Sequence, residues 1–306
     1  MSKVAVTVII LTFNEERHIG RCLDSIASFA QRVVVVDSFS TDGTCEIASV
    51  RGAEILRNKF VNQAVQFQWA LDQLVIDTPW LMRLDADEII GSDLAAEIAA
   101  RLPVLGSEVV GVNLRRKHIF MGRWIRHGGR YPLDLIRIWR LGHGHVENRW
   151  MDEHVVVWGG GTVTFKGDFS DANLNDLGFF TTKHSNYATR EAIEILNERY
   201  GLFARDRALV EAGKFSQASV KRLIKEHAYA HLPFFSGPVL YFIYRYVFQL
   251  GFLDGREGLI YHVLQGFWYR FLVEAKVCEF DRELRPLSSA AERRDRLEGL
   301  VGFRLG

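Results

Sequence analysis

Three stretches of this chain run from largely apolar residues into a polar, acidic cluster. VTVIILTFNEE (6–16), VVVVDSFSTDGT (33–44) and PWLMRLDADEII (79–90) each begin as a strand and end in a polar cluster. The all-β-branched run VVVV (33–36) predicts a strand covered on both faces, the habit of parallel sheets in α/β proteins, and the other two stretches read as further strands. The covering helices are predicted by apolar residues at helical spacing in EERHIGRCLDSIASFA and TDGTCEIASVRG, with Ser40, Thr41 or Asp42 as cap of the second. In open parallel sheets the ligand crevice lies outside the carboxyl ends of the strands, so Asp37 and its turn stand where a nucleotide is expected. The competing local reading is a turn that only starts the next helix.

The acidic ends sharpen that picture. Asp85 and Asp87 are one residue apart, so on an extended segment both carboxylates project to one side and can share a divalent cation. Hard oxygen donors suit Mg2+ or Mn2+, which neutralises a diphosphate. Thr12, Asn14, Glu15 and Glu16 bring further polar groups to the same edge, and the expectation is that Asp37, Asp85 and Asp87 converge on one ion.

Composition excludes some alternatives. With 38 basic against 37 acidic residues, nucleic-acid binding through bulk charge is not expected. Cys22, Cys45 and Cys278 have neither CxxC nor Cys/His spacing, which predicts a reducing compartment and no structural zinc. His127, His143, His145 and His154 are too irregularly spaced for a zinc site. The start of the chain lacks the cleavage signature of a signal peptide and reads as the first strand. No repeat or linker interrupts the chain to about residue 200, which predicts one folded unit there.

In order and spacing, VTVIILTFNEERHIGRCLDSI, VVVVDSFSTDGT and WLMRLDADEII resemble the nucleotide-sugar half of the family 2 inverting glycosyltransferases, and the chain is similar to bacterial enzymes of the lipopolysaccharide core β-1,4-glucosyltransferase kind. The resemblance implies a GT-A fold, a mostly parallel central sheet flanked by helices, over about residues 1–226, with an aromatic-rich helical extension over 227–306. It implies that Thr12, Asn14 and Glu15 line the nucleoside pocket, that Asp37 bonds the base or ribose, and that Asp85 reaches the ribose and metal while Asp87 is the principal metal ligand. Gln63 and Gln66 are candidates on a polar helix beside the pocket; the alternative is a solvated helix face. Arg137, Trp139 and Arg140 are similar to the stretch that approaches the acceptor. His184 either completes the metal shell from a late loop, with Lys183 beside it, or is incidental to a helix start capped by Ser185, Asn186 or Thr189.

Inverting transfer to an alcohol also requires a base for the acceptor's proton. NRWMDEHVVV (148–157) supplies Asp152 and Glu153; similar enzymes have His-Glu here, so Glu153 is favoured and Asp152 is the alternative.

Beyond residue 226, the aromatic-rich run HAYAHLPFFSGPVLYFIYRYVFQLGFLDGREGLIYHVLQGFWYRFLVEAKVCEF predicts two helices joined at LDGREG (253–258). Pro238, Arg245 and Gln249 interrupt the first apolar stretch, so interfacial membrane contact is expected rather than a span, helped by Lys214, Lys221, Arg222 and Lys225; an oligomer interface is the competing reading. The resemblance implies a nucleoside diphosphate sugar donor, a lipid-linked glycan acceptor and a site at the cytoplasmic face of the inner membrane. Its rivals are transfer directly to polyprenyl phosphate and a nucleotide-binding scaffold without turnover.

Overall fold

A computed structural model describes residues 3–147, 154–203 and 234–305. These fall into two compact units, described separately, that meet in the chain at Leu174 and Asn175. The boundary expected at 226 lies outside the described residues.

The first unit is built on a nine-stranded sheet of order β3-β2-β1-β4-β8-β6-β11-β5, with β7 paired to β6. The strands are β1 Val4–Thr12, β2 Ala30–Asp37, β3 Glu54–Arg57, β4 Trp80–Asp85, β5 Glu88–Ile90, β6 Val109–Phe120, β7 Arg123–Ile125, β8 Asp134–Arg140 and β11 Gly161–Ala172. A separate hairpin pairs β9 Gly144–Val146 with β10 Val155–Val157. The first four strands are mutually parallel. Beyond them, β4–β8, β6–β8 and β5–β11 run antiparallel, so the sheet is mixed.

Alternation along β1 explains why apolar residues dominate both of its faces. Val6, Val8 and Ile10 face one core with Ile19, Leu23 and Ile26 of α1 (Ile19–Ile26) and Leu94 and Ile98 of α4 (Ser92–Arg101). Ile9 faces the other with Val34, Val36, Leu81, Trp139 and Phe67 of α3 (Gln63–Gln73). Removing apolar surface from water on both faces fixes the register, and with it which residues stand at the strand tips. The second expected helix is α2 (Thr44–Val50); its N-cap is Gly43, with Asp42 accepting the Thr44 N–H at 3.0 Å.

The second unit is helical. α5 (Leu177–Tyr200) starts at Asp176, whose carboxylate accepts the Phe179 N–H at 2.8 Å, and ends at Gly201, where a φ of 64° favours glycine. α6 (Ser236–Ile243) continues as a π-helical turn to Phe248. After a short 3-10 turn, Gly251–Asp254, α7 (Gly255–Tyr261) runs through a second π segment into α8 (Tyr269–Leu284), followed by α9 (Ala290–Val301). The bend therefore starts two residues ahead of the expected LDGREG turn and overlaps only its first two residues, Leu253 and Asp254, because Gly255 already opens the next helix. Ile193 and Leu196 of α5 pack with Phe280 and Leu284 of α8 and Leu297 of α9. Glu191, buried, accepts from the Tyr269 hydroxyl at 2.5 Å and from Arg270 at 2.7 Å.

Candidate active site

Register brings the three polar strand ends side by side. Thr12 pairs with Asp37 across β1 and β2, and Leu11 pairs with Asp85 across β1 and β4. Asp37 and Asp85 are thus two strand spacings apart, about 10 Å. Asp37 is fully buried, and its carboxylate accepts from Thr12 Oγ1 (3.0 Å), the Ser40 N–H (2.8 Å) and Ser40 Oγ (2.5 Å). A buried carboxylate is retained at low cost only when its lone pairs are met by donors, and these three meet them.

The loops after β1 and β2 are stitched together through the same residues. The Asn14 N–H donates to Ser40 Oγ (2.8 Å), the Glu15 N–H to Thr44 Oγ1 (2.7 Å) and the Glu16 N–H to Asp42 (3.1 Å), while Asn14 and Glu16 accept from the Thr41 and Gly43 N–H groups (2.9 and 3.0 Å). Asn14 and Phe39 sit at φ of 55° and 62°, a backbone region costly for Phe that the stitching holds in place. The rings of Phe13 and Phe39 remain 58% and 55% exposed at these tips, flat apolar faces with no core role. His18, buried, donates from Nδ1 to Glu15 at 2.6 Å, because its Nε2 accepts the Leu174 N–H at 2.9 Å and so carries no proton.

The two candidate glutamines of α3, Gln63 and Gln66, make contacts within the protein, whereas Gln68 and Gln73 of the same helix are exposed. Gln66, fully buried, donates to Ser38 Oγ (3.2 Å) and the Asn58 carbonyl (3.0 Å), tying α3 to the loop after β2. Gln63 accepts from Arg83, which in turn lies 3.7 Å from Asp85.

At the tip of β4, Asp85 is about one-third exposed (35%) and faces Arg83 and, at 3.5 Å, Arg137. Glu88 is buried against Arg137, and its carboxylate also accepts the Asp85 N–H at 3.0 Å. Burial pushes the Glu88 carboxyl up to about 8, with Arg137 opposing the rise and Asp85 adding to it. Burial lowers Arg137, but Glu88 and Asp85 outweigh it and hold the guanidinium above its ordinary value. Asp87 accepts from Asn173 Nδ2 at 3.0 Å, and its carbonyl accepts the Ala172 N–H at 3.0 Å, which fastens the acidic turn to the end of β11.

The three acidic tips do not close on one point. Asp37 turns its carboxylate into the stitched loops, and no three His, Cys, Asp or Glu side chains cluster for a cation among the described residues. Asp85 and Asp87, one residue apart at the end of β4, are hard oxygen donors of the kind that fits a hydrated Mg2+ or Mn2+.

Of the other expected residues, Trp139 is fully buried in the core against Phe67, and Arg140 stacks on Trp80 at 4.3 Å while donating to the Val109 and Gly106 carbonyls. Arg137 serves the acidic cluster. His184 lies in the second turn of α5, not in a loop, with Nδ1 2.8 Å from the Phe180 carbonyl and its ring stacked on Phe180; the cap is Asp176, not Ser185, Asn186 or Thr189. Asp152 and Glu153 lie outside the described residues, as do Lys214, Lys221, Arg222 and Lys225. The strand expected after Asp152 and Glu153 is present as β10, and the Glu147 N–H donates to the His154 carbonyl at 2.8 Å. Ser38, Ser40, His18, Glu88 and Asn173 support the groups at the strand tips; of these the sequence marked only Ser40, as a candidate helix cap.

Comparison with known proteins bears on the same unit. Glycosyl transferase family 2 matches residues 7–171. The chain is similar to the lipopolysaccharide core biosynthesis glycosyltransferase LpsC of Rhizobium meliloti, 30% identical over 152 residues, 43% of this chain and 55% of that protein. It is similar to an uncharacterized glycosyltransferase of Rickettsia typhi, 34% identical over 93 residues, 30% of this chain and 31% of that one. Among solved structures, glucosyl-3-phosphoglycerate synthase from Mycobacterium tuberculosis aligns over 38% of this chain and 44% of its own, at 19% identity and a TM-score of 0.31. With more than half of its length matched, including every strand tip described above, this chain belongs to glycosyltransferase family 2.

Proposed function

We propose that the chain is an inverting hexosyltransferase that uses a nucleoside diphosphate sugar and a lipid-linked glycan acceptor in bacterial surface polysaccharide or lipopolysaccharide synthesis. The observation that carries the reading is the placement of Asp85 and Asp87 at the carboxyl end of β4, beside the stitched loops after β1 and β2. LpsC supports the acceptor class through its name alone.

In this reading Asn14 and Glu15 line the nucleoside pocket, Phe13 and Phe39 offer stacking faces to the base, and Asp37 acts at one remove by fixing Thr12 and Ser40. Asp87 and Asp85 would hold Mg2+ or Mn2+, which neutralises charge on the departing diphosphate. The acceptor hydroxyl attacks the anomeric carbon from the face opposite the leaving group. Its proton passes to Glu153, or to Asp152, as the bond to the diphosphate oxygen breaks and the electron pair leaves with it.

A panel of nucleoside diphosphate sugars incubated with Mg2+ or Mn2+ tests this by donor hydrolysis. One donor class is expected to be consumed, and Asp87→Asn should slow it by about a hundredfold or more, the scale of a lost charge-stabilising group. Nucleotide binding without any metal-dependent hydrolysis would leave the scaffold reading in its place.

Peripheral association with the cytoplasmic face of the inner membrane belongs to the same proposal. No helix among the described residues is long and apolar enough to cross a membrane. Leu240, Ile243, Tyr244 and Val247 recur at helical spacing and are exposed, whereas Arg245 between them is buried. This stripe suits the interfacial region of a bilayer.

A further inference from the structure

Residues 115–130, RRKHIFMGRWIRHGGR, hold six of the chain's 38 Lys and Arg and none of its 37 acids. They form the end of β6, its hairpin to β7 and the following loop. Asp134 lies 3.5 Å from Arg115, Asp171 3.6 Å from Arg116 and Asp168 2.9 Å from Lys117. Trp124 props Lys117 and Arg126 in place, with their charges 5.1 and 5.3 Å from its ring centroid, and Tyr131 packs edge-on to it at 4.9 Å. Arg123 and Arg126 are exposed, and the buried Trp124 Nε1–H finds no acceptor among the described residues.

Register fixes where this surface stands. Trp124 pairs with Ile119, Ile119 with Ala172, and the Ala172 N–H donates to the Asp87 carbonyl at 3.0 Å. Three strand spacings, about 14 Å, therefore separate the Trp124 backbone from the acidic turn, a distance a short oligosaccharide spans. We propose that the β6–β7 hairpin is the acceptor wall, and that it selects acceptors bearing an acidic group, a phosphate or carboxylate on the glycan, through Arg123, Arg126 and the Trp124 indole. This rests on the transferase reading above.

The test monitors the Trp124 indole N–H signal of the full chain by NMR during titration with glucose 6-phosphate, glucuronate and glucose. The two acids should shift the signal at concentrations where glucose does not, and Arg123→Ala with Arg126→Ala should raise the glucose 6-phosphate midpoint about tenfold, the scale of one lost charge-assisted hydrogen bond. Arg126→Lys keeps the charge and should recover part of that loss. Equal responses to glucose and glucose 6-phosphate, or an unchanged midpoint in the double variant, overturn the proposal. So does full displacement of glucose 6-phosphate by UDP with Mg2+, which would make the wall a donor subsite, or by phosphatidylcholine vesicles containing phosphatidylglycerol, which would make it a headgroup site. Donor hydrolysis without acid discrimination defeats the wall alone; discrimination without donor hydrolysis defeats the transferase reading alone.

Discussion

Asp37 and Asp85 end the two parallel strands that flank β1, yet their environments give them opposite tasks. Asp37 is buried with three donors aimed at it, whereas Asp85 is partly exposed and shares Arg137 with Glu88. Asp37→Asn would turn an N–H group toward donors that expect an acceptor. It should cost about 1–3 kcal/mol in denaturant unfolding, the scale of an unsatisfied buried group, and weaken nucleotide binding as the two loops separate. Thr12→Val removes only one of those donors and should cost about 1 kcal/mol in the same measurement. If both variants unfold like the parent, the stitching does not hold the loops.

At the scale of elements, α4 is fastened to β11 by Glu97. Its carboxylate accepts the Lys166 and Gly167 N–H groups at 2.8 and 2.9 Å and also takes Arg101, while Gly167 lies so close that a Cβ there would stand 2.6 Å from the Leu94 backbone. Burial raises the Glu97 carboxyl, but the Gly167, Arg101 and Lys166 donors outweigh it and hold the group below its ordinary value. A depressed folded value means that the stabilisation is complete above the unfolded carboxyl range and disappears as pH falls through the folded one. Glu97→Gln should therefore be less stable than the parent by about 1–2 kcal/mol near neutrality, with the gap closing in acid, as read from thermal unfolding across pH. A gap independent of pH would mean that the charge plays no part.

Burial on both faces demands unbroken apolar runs, so β1, β2 and β4 are legible in the sequence, and Asp37, Asp85 and Asp87 are legible because they end those runs. The direction of a carboxylate is not written there: Asp37 turns inward because Ser40, three residues later, supplies two donors. Gln63 and Gln66 look like ordinary surface glutamines until Arg83 and Asn58 come within reach through tertiary contacts. Trp139 reads as an acceptor contact by motif and is core by packing. The basic hairpin is visible as composition, but its place beside Asp87 depends on the pairing of β6 with β11, strands some 50 residues apart in the chain.

For the molecule as a whole, the exposed stripe of α6 and its π-helical continuation makes the membrane reading testable. Val247→Asp with Phe248→Asp should abolish co-sedimentation with anionic vesicles, because both side chains are exposed (50% and 74%) and a charge at that depth is strongly disfavoured. If a second copy of the chain covers the stripe instead, the parent will sediment as a dimer that the same substitutions dissociate.

Rigidity in the stitched loops draws on their own backbone. The main-chain N–H groups of Asn14, Glu15, Glu16, Ser38, Ser40, Thr41, Gly43 and Thr44 are all engaged within the chain. Many nucleotide-binding proteins spread the negative charge of phosphates over such a cradle of amides. These eight amides are committed to holding the loops together, so on the transferase reading proposed above a pyrophosphate would draw its counter-charge here from cations, whether dissolved or carried on arginine, rather than from them.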